Sequence, residues 1–364
     1  MSLMISISGI RGIVGKSLTP EIIVKYAAAF AEYSNRGTII VGRDGRITGS
    51  NIEKTVTSTL LQMGCNVMNL GICPTPTVGL AIEKFHAAGG IAITASHNPM
   101  IWNGLKFMGS SGMFLNGDEN KLFWSIADRG HFAYQQWDKQ GALTENQKFI
   151  DEHVKSILTL PYIYLDQIRK RKLKVVVDCV NTAGGKIVPG LLREFGCEVI
   201  EMNCDISGIF SHTPEPIPEN LTDLSKRVII EKADLGIAVD PDVDRLVLIN
   251  EKGEPFVEEY TIVSAVKFVL EAETKRGKNH QTVVVNLSTT RAVEDVAAQF
   301  GAVVHRTAVG EINVASKMKQ LGSVIGGEGS GGVILPEVHL GRDAIVGIGL
   351  FLQLLTNFNG KASA

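Results

Sequence analysis

The sequence predicts an α/β fold of three similar domains, each a mixed sheet sandwiched by helices. Two observations carry this expectation. The first is a unit of strand, polar turn, helix, glycine and strand that recurs three times. It runs from "TIIVGRDGR" (38–46) to "LLQMGCNVMNL" (60–70), from "LKVVVDCVNTAGG" (173–185) to "LLREFGCEVIEM" (191–202), and from "TVVVNLSTT" (282–290) to "VAAQFGAVVHRT" (296–307). Short β-branched runs joined by helical patterns imply βαβ crossovers, and the spacing of the copies is that of domains rather than of solenoid repeats. The second observation is length, since 364 residues exceed one ordinary core.

The elements follow in chain order. Thr19-Pro20 opens a helix that runs to about Tyr33, with proline at the first helical position, where its missing N–H does no harm. The apolar run Ile91-Ala92-Ile93 reads as a buried strand that ends in small polar residues. The chain then turns polar and Gln-rich over 134–147. "TENQKFIDEHVKSIL" (144–158) predicts a helix with Thr144 as N-cap, and "LPYIYLDQIRKRK" (160–172) a linker. A second break falls at "NEKGEPFVE" (250–258), where Gly253 and Pro255 mark a turn. "AIVGIGLFLQLLTNF" (344–358) is the last helical run. The domains are therefore expected at 1–155, 156–254 and 255–364.

Composition narrows the function. Hydrophobic content of 45% with 20% charged residues describes a globular protein. A net charge of −2 gives no reason to expect nucleic acid or an acidic membrane as partner. Five cysteines without a C-x-x-C pair suit reduced thiols in a cytoplasmic protein. The stretch Ala344 to Leu355 is too short to span a bilayer, and the N-terminus does not read as a signal peptide.

Three clusters carry chemistry. "TASHNP" (94–99) places Ser96 and His97 at the end of the buried run and closes with Pro99. "DPDVDR" (240–245) alternates Asp240, Asp242 and Asp244, which in extended backbone puts three carboxylates on one face. Such charges repel and call for a divalent cation; a solvated acidic turn is the alternative. The spacing of an EF-hand is present, but Arg245 stands where that loop needs glycine and the flanks read as strands. The ion expected is thus Mg²⁺, completed by a phosphate oxygen. "GGEGSGG" (326–332) meets G-x-G-x-x-G through Gly327, Gly329 and Gly332, yet no helix follows, so a dinucleotide is not indicated. What remains is a glycine turn presenting Glu328 and Ser330, suited to vicinal sugar hydroxyls or serving as a plain β-turn. Arg11, Lys106 and Arg245, ordinary surface cations when taken singly, together suggest anion recognition.

Jointly, these stretches resemble the α-D-phosphohexomutase superfamily of phosphoglucomutases, phosphomannomutases and phosphoglucosamine mutases. "TASHNP" is similar to its phosphoserine loop, "DPDVDR" to its metal loop and "GEGSGG" to its sugar loop, and "SGIRG" and "NGLKF" also match family segments. "GEGSGG" with "HLGRDA" looks most like the archaeal-type phosphoglucosamine mutase branch. The resemblance implies a phosphohexomutase-like fold and interconversion of hexose 6-phosphate and hexose 1-phosphate through phosphoserine 96 and a bisphosphate. It assigns catalysis to Ser96, Lys106, Arg11, His97 and Arg245. Mg²⁺ falls to Ser96, Asp240, Asp242 and Asp244, and the sugar to Glu328, Ser330 and Gly327. A phosphoserine of about −2 and three aspartates would be balanced by Mg²⁺, Arg11, Lys106 and Arg245. His97 is not expected to act as general base, because adjacent side chains in extended backbone point apart. Lys106 is the expected proton shuttle, its pKa lowered by Arg11 and Arg245.

Two positions depart from the family pattern: Gly332, where many members carry His, and Glu311, where His or Asp is common. His339 and Arg342 are the candidates to supply the contacts of the His missing at Gly332, with a role in the fold as the alternative. A fourth domain with a phosphate clamp is expected of the family. None is legible here, which predicts poor turnover with retained Mg²⁺ binding and phosphoserine. A non-catalytic sugar-phosphate binder and a metal-dependent sugar phosphatase are the competing functions. The expected partner is a small-molecule hexose phosphate.

Overall fold

The computed structural model describes residues 3–257 and 259–364 and contains three sheets. The first comprises β1 (Met4–Ser6), β2 (Gly9–Ile13), β3 (Ile39–Arg43), β4 (Val67–Ile72), β5 (Gly89–Ile93), β6 (Trp102–Gly109) and β7 (Leu143–Glu145). Their spatial order is β1-β2-β6-β5-β3-β4-β7. Helices α1 (Pro20–Tyr33), α2 (Gly49–Gln62), α3 (Thr75–Phe85) and α4 (Gly117–Arg129) belong to this domain. Next come α5 (Phe149–Leu158) and α6 (Leu165–Arg171). The second sheet holds β8 (Lys174–Asp178), β9 (Glu198–Met202), β10 (Leu235–Val239), β11 (Leu246–Asn250) and β12 (Pro255–Phe256) in the order β12-β11-β10-β8-β9, with α7 (Gly184–Glu194) and α8 (Thr222–Glu231). The third orders β13 (Thr282–Asn286), β14 (Val303–Thr307), β15 (Ile325–Glu328) and β16 (Gly332–Ile334) as β14-β13-β15-β16. Around it lie α9 (Glu259–Lys275), α10 (Ala292–Gln299), α11 (Glu311–Leu321) and α12 (Ala344–Phe358).

The three repeat units are the same object. β3/β4, β8/β9 and β13/β14 are parallel pairs, each joined by one helix. Every sheet also gains antiparallel strands, as β5/β6, β10/β11 and β15/β16. Strands such as β5 and β10 are buried along their whole length, as expected when helices cover both faces of a sheet.

Helices α1 and α12 match the sequence reading in both bounds. The segment 144–158 does not form one helix. Leu143–Glu145 instead pairs with β4 as the edge strand β7, and α5 begins at Phe149 after Lys148, so Thr144 caps nothing. The expected linker contains α6. The expected border at 155/156 lies inside α5, and that at 254/255 lies inside the β11–β12 hairpin.

Candidate active site

The loop after β5 carries Ser96. Its backbone is left-handed, with φ 48, which a side-chain-bearing residue adopts only when its surroundings impose it. Two anchors impose it. Ser96 N donates to Thr94 Oγ1 at 2.9 Å, and Thr94 Oγ1 donates to Asp44 Oδ2 at 2.7 Å. Arg46 is 1% exposed and spends all five guanidinium N–H groups beneath the loop. Nε meets Asp44 Oδ2, Nη1 meets the carbonyls of Pro99 and Trp102, and Nη2 meets those of Ser96 and Asn98, at 2.5 to 3.1 Å. Ser96 Oγ then donates to Asp240 Oδ2 at 3.0 Å.

The acidic cluster lies on the turn between β10 and β11 rather than on extended backbone. Val243, in left-handed backbone with φ 62, and a bond from its N–H to Asp240 O at 3.0 Å curl the chain there. Convergence is achieved all the same: ligand oxygens of Asp240, Asp242 and Asp244 lie within 4.8 Å of one another, all buried. The flanking strands bear out the exclusion of an EF-hand. Asp242 Oδ1 and Asp244 Oδ1 are buried without a hydrogen-bond partner. Burial, followed by the charges of Asp244 and Asp242, pushes the Asp240 carboxyl well above the usual carboxylate range. Unpartnered carboxylate oxygens and mutual repulsion are what a hard divalent cation would relieve, so these residues fit one.

Cations surround the turn. Lys106, on β6, is buried and donates to Asp242 Oδ2 at 2.6 Å and Asp244 Oδ2 at 3.3 Å. Burial alone would lower its pKa, but Asp242 and Asp244 outweigh burial and raise it. The expected depressed amine is therefore corrected: in this arrangement Lys106 is a charged partner of the acidic turn. Arg11, on β2, donates to Asn98 Oδ1 at 3.2 Å and has a buried Nε without a partner. Arg245 lies 3.9 Å from Asp244 Oδ1 and 3.7 Å from Glu215. His97 Nδ1 sits 3.3 Å from Ser96 Oγ, so the expectation that the two side chains diverge fails, because the loop is not extended. Burial, with Arg245 and Arg11, pushes the imidazole down to about 4, which leaves it a neutral group and a weak base near neutral pH.

The third cluster is a tight hairpin of β15 and β16 rather than a flexible loop. Gly327 lies within β15 opposite Val333, and a Cβ there would fall 2.1 Å from Gly332 O, so its role is packing. Glu328 is 4% exposed. Its Oε1 accepts from Asn286 Nδ2 at 2.9 Å and Gly310 N at 3.1 Å, and its Oε2 accepts from Arg342 Nη1 at 2.6 Å. It is a fixed acceptor with little capacity to spare. Ser330 is half-buried at the turn.

Three family models match in order: phosphoglucomutase/phosphomannomutase α/β/α domain I over residues 4–133, domain II over 151–253 and domain III over 258–364. The chain belongs to the phosphoglucomutase/phosphomannomutase family. It is 37% identical to a Methanopyrus kandleri protein named "Probable phosphoglucosamine mutase", over 96% of this chain and 75% of that one. It is 35% identical to a Thermococcus kodakarensis "Phosphoglucomutase/phosphomannomutase", over 98% of this chain and 77% of the relative. Its fold superposes on that of a Burkholderia thailandensis phosphoglucomutase/phosphomannomutase family protein with a TM-score of 0.84 at 26% identity, covering 97% of this chain and 78% of that one.

In this family member, sequence reasoning missed four groups at the site. Asp44 and Arg46 were legible only as the polar end of a strand. Thr75, at the start of α3, donates to Asp242 Oδ2 at 2.7 Å and so binds the first domain to the acidic turn. Arg342 was legible as a cation near the sugar loop, but not as the partner of three carboxylates. Sequence separations of up to 167 residues hid these contacts.

Proposed function

We propose that this chain is a phosphohexomutase that interconverts hexose 6-phosphate and hexose 1-phosphate through a phosphoryl group held on Ser96. The observation that carries the reading is the contact between Ser96 Oγ and Asp240, across two domains, beside two buried carboxylate oxygens that lack partners. Asp240, Asp242 and Asp244, with the phosphate on Ser96, would hold Mg²⁺. That ion, when bound, would neutralise charge on the phosphoryl oxygens.

The protein's own groups do the rest. The Arg46 cradle fixes the Ser96 carbonyl and so the direction of Oγ. Phosphoryl transfer needs positioning and charge balance more than covalent assistance, and Arg11, Arg245 and Lys106 supply positive charge around the transferred group. His97, being neutral, offers a hydrogen bond without altering that balance. Lys106, charged as it stands, would take the proton of the attacking sugar hydroxyl only after giving up one of its own to solvent, which requires its hold on Asp242 and Asp244 to be relaxed first. Glu328 and Ser330 would take hydroxyls of the sugar, with Glu328 held rigid by Asn286, Gly310 and Arg342. The finer substrate reading is glucosamine phosphate, supported by the relative named above. A phosphatase, in which water takes the phosphoryl group from Ser96, uses the same groups and is the second reading.

Coupled assays with glucose, mannose and glucosamine phosphates test the proposal. Mutase turnover that depends on added Mg²⁺ and is fastest with glucosamine phosphate supports it. Release of inorganic phosphate without isomerisation would establish the phosphatase instead.

A further inference from the structure

The acidic turn and the sugar hairpin come from different domains, yet three links lock the turn and the start of β11 to the hairpin and the start of α12. Leu246 N donates to Gly331 O at 3.0 Å, and Ala344 N donates to Val243 O at 3.1 Å. The third link is a side chain. Arg342 Nη2 donates to Asp244 Oδ2 at 2.7 Å, Nη1 to Glu328 Oε2 at 2.6 Å and Nε to Glu311 Oε2 at 3.0 Å. One planar group thus fixes the distance between a carboxylate of the acidic turn and the acceptor of the sugar hairpin. A guanidinium does this where an ammonium does not, because its donors form a rigid fork.

The path of this side chain explains a bare position. Gly332 pairs with Glu328 as ordinary strand. A Cβ built on it would fall 2.3 Å from Arg342 Cδ and 2.9 Å from Cγ. The missing side chain therefore answers to space rather than to backbone conformation. Arg342 uses three of its five N–H groups on the carboxylates and leaves one on each η nitrogen without a protein partner among the described residues. Its side chain is 11% exposed.

We infer that Arg342 is a positioning residue for the sugar phosphate. It sets the spacing between Asp244 and Glu328, presents positive charge to an anion entering between them, and relies on the absence of a side chain at Gly332. The anion's identity as a hexose phosphate rests on the mutase reading; the spacing role does not.

The sign of the charge separates this role from mere support of the fold. A cation beside Asp244 opposes Mg²⁺ and favours an anion. Removing it should therefore move the two ligands in opposite directions, whereas loss of a structural prop weakens both. Binding is measured calorimetrically, without turnover, using Mg²⁺ alone and then glucose 6-phosphate and glucosamine 6-phosphate. In Arg342→Gln, Mg²⁺ should bind roughly fivefold more tightly and the sugar phosphates roughly fivefold or more weakly, by the Coulomb effect of one charge at this range. Arg342→Lys should return Mg²⁺ affinity towards wild type but leave the sugar phosphates weak, since the charge returns without the fork. Gly332→Ala keeps the charge and blocks the path of the side chain, and should weaken the sugar phosphates while its thermal melting stays close to wild type. Weakening of both ligands in Arg342→Gln, or a Gly332→Ala protein with unaltered sugar-phosphate affinity, would overturn the inference. The Mg²⁺ arm needs only metal binding, so failure of the mutase reading and failure of this proposal are read from different measurements.

Discussion

Ser96 and Val243 share a property that no sequence pattern announces. Each sits in left-handed backbone, with φ 48 and 62, and Val243 is β-branched, for which that region is a true outlier. Such strain persists only where neighbours over-determine it, and both lie in the loops that bring Ser96 Oγ to Asp240. Alternation of the aspartates foretold their convergence, although through extended backbone when the real device is a turn. Lys106 shows the opposite error. The residue was found, but the sign of its perturbation was not, because the controlling carboxylates lie 136 and 138 residues away in sequence. Asp242 makes the clearest test at this scale. Lys106 outweighs burial to hold its carboxyl below the usual range, and Oδ1 has no partner. Asp242→Asn removes one anionic ligand from a hard-cation site. We expect Mg²⁺ half-saturation to rise roughly tenfold or more, with a parallel fall in phosphoryl transfer. Metal dependence unchanged in calorimetric titration would mean that the turn is merely acidic.

At the scale of elements, helices α1 and α12 were legible because each has a stop or start signal at its own end. The edge strand β7 was not, since three residues paired with a strand 76 residues away carry no local pattern. Nor was the bed beneath the Ser96 loop. Arg46→Lys keeps the charge but offers three donors where five are used. Carbonyls left buried and unpaired cost about 1–3 kcal/mol each, so a loss of roughly 2–4 kcal/mol is expected, with faster amide exchange over 95–102. Exchange there at the wild-type rate would show that the bed is dispensable. A second network sits at the start of α12. Asp343 Oδ1 caps the helix through Ile345 N at 2.8 Å, and Oδ2 takes His153 Nε2 at 2.7 Å and His339 Nε2 at 3.1 Å. Burial would lower the His339 pKa, but Asp343 outweighs it and raises the value. The stabilisation from that pair is complete below the unfolded imidazole value of about 6.5. It fades as pH rises through the higher folded value. Asp343→Asn should cost about 3–5 kcal/mol near pH 6 and progressively less as the pH is raised. A penalty that grows with pH in denaturant melts would contradict the assignment.

For the whole molecule, the repeats foretold three domains but not how they join. Residues of the second and third domains, among them Val177, Leu246, Val285 and Ile348, form one continuous apolar core, whereas the first domain has one core of its own and a second that also takes in Ile312 of the third domain. At the site, the first domain meets the acidic turn through polar contacts from Ser96, Thr75 and Lys106. Apolar packing between strand-and-helix units leaves no motif in sequence, so the fusion had to be seen. Ile348→Ala, in the shared core, should cost about 2–5 kcal/mol. It should raise amide exchange in β10 and β13 together, ahead of β3 and β5, whereas simultaneous loosening of all four strands would argue for one cooperative body. The chemistry turns on one atom, Ser96 Oγ, and intact-mass spectrometry addresses it most directly. The protein is incubated with Mg²⁺ and a hexose 1,6-bisphosphate, then digested and mapped. We predict the added mass of a single phosphoryl group, located on Ser96, carried over to hexose monophosphate on chase, and absent from Ser96→Ala. Mutase turnover in Ser96→Ala, or a phosphoryl group mapped to another residue, would contradict the account.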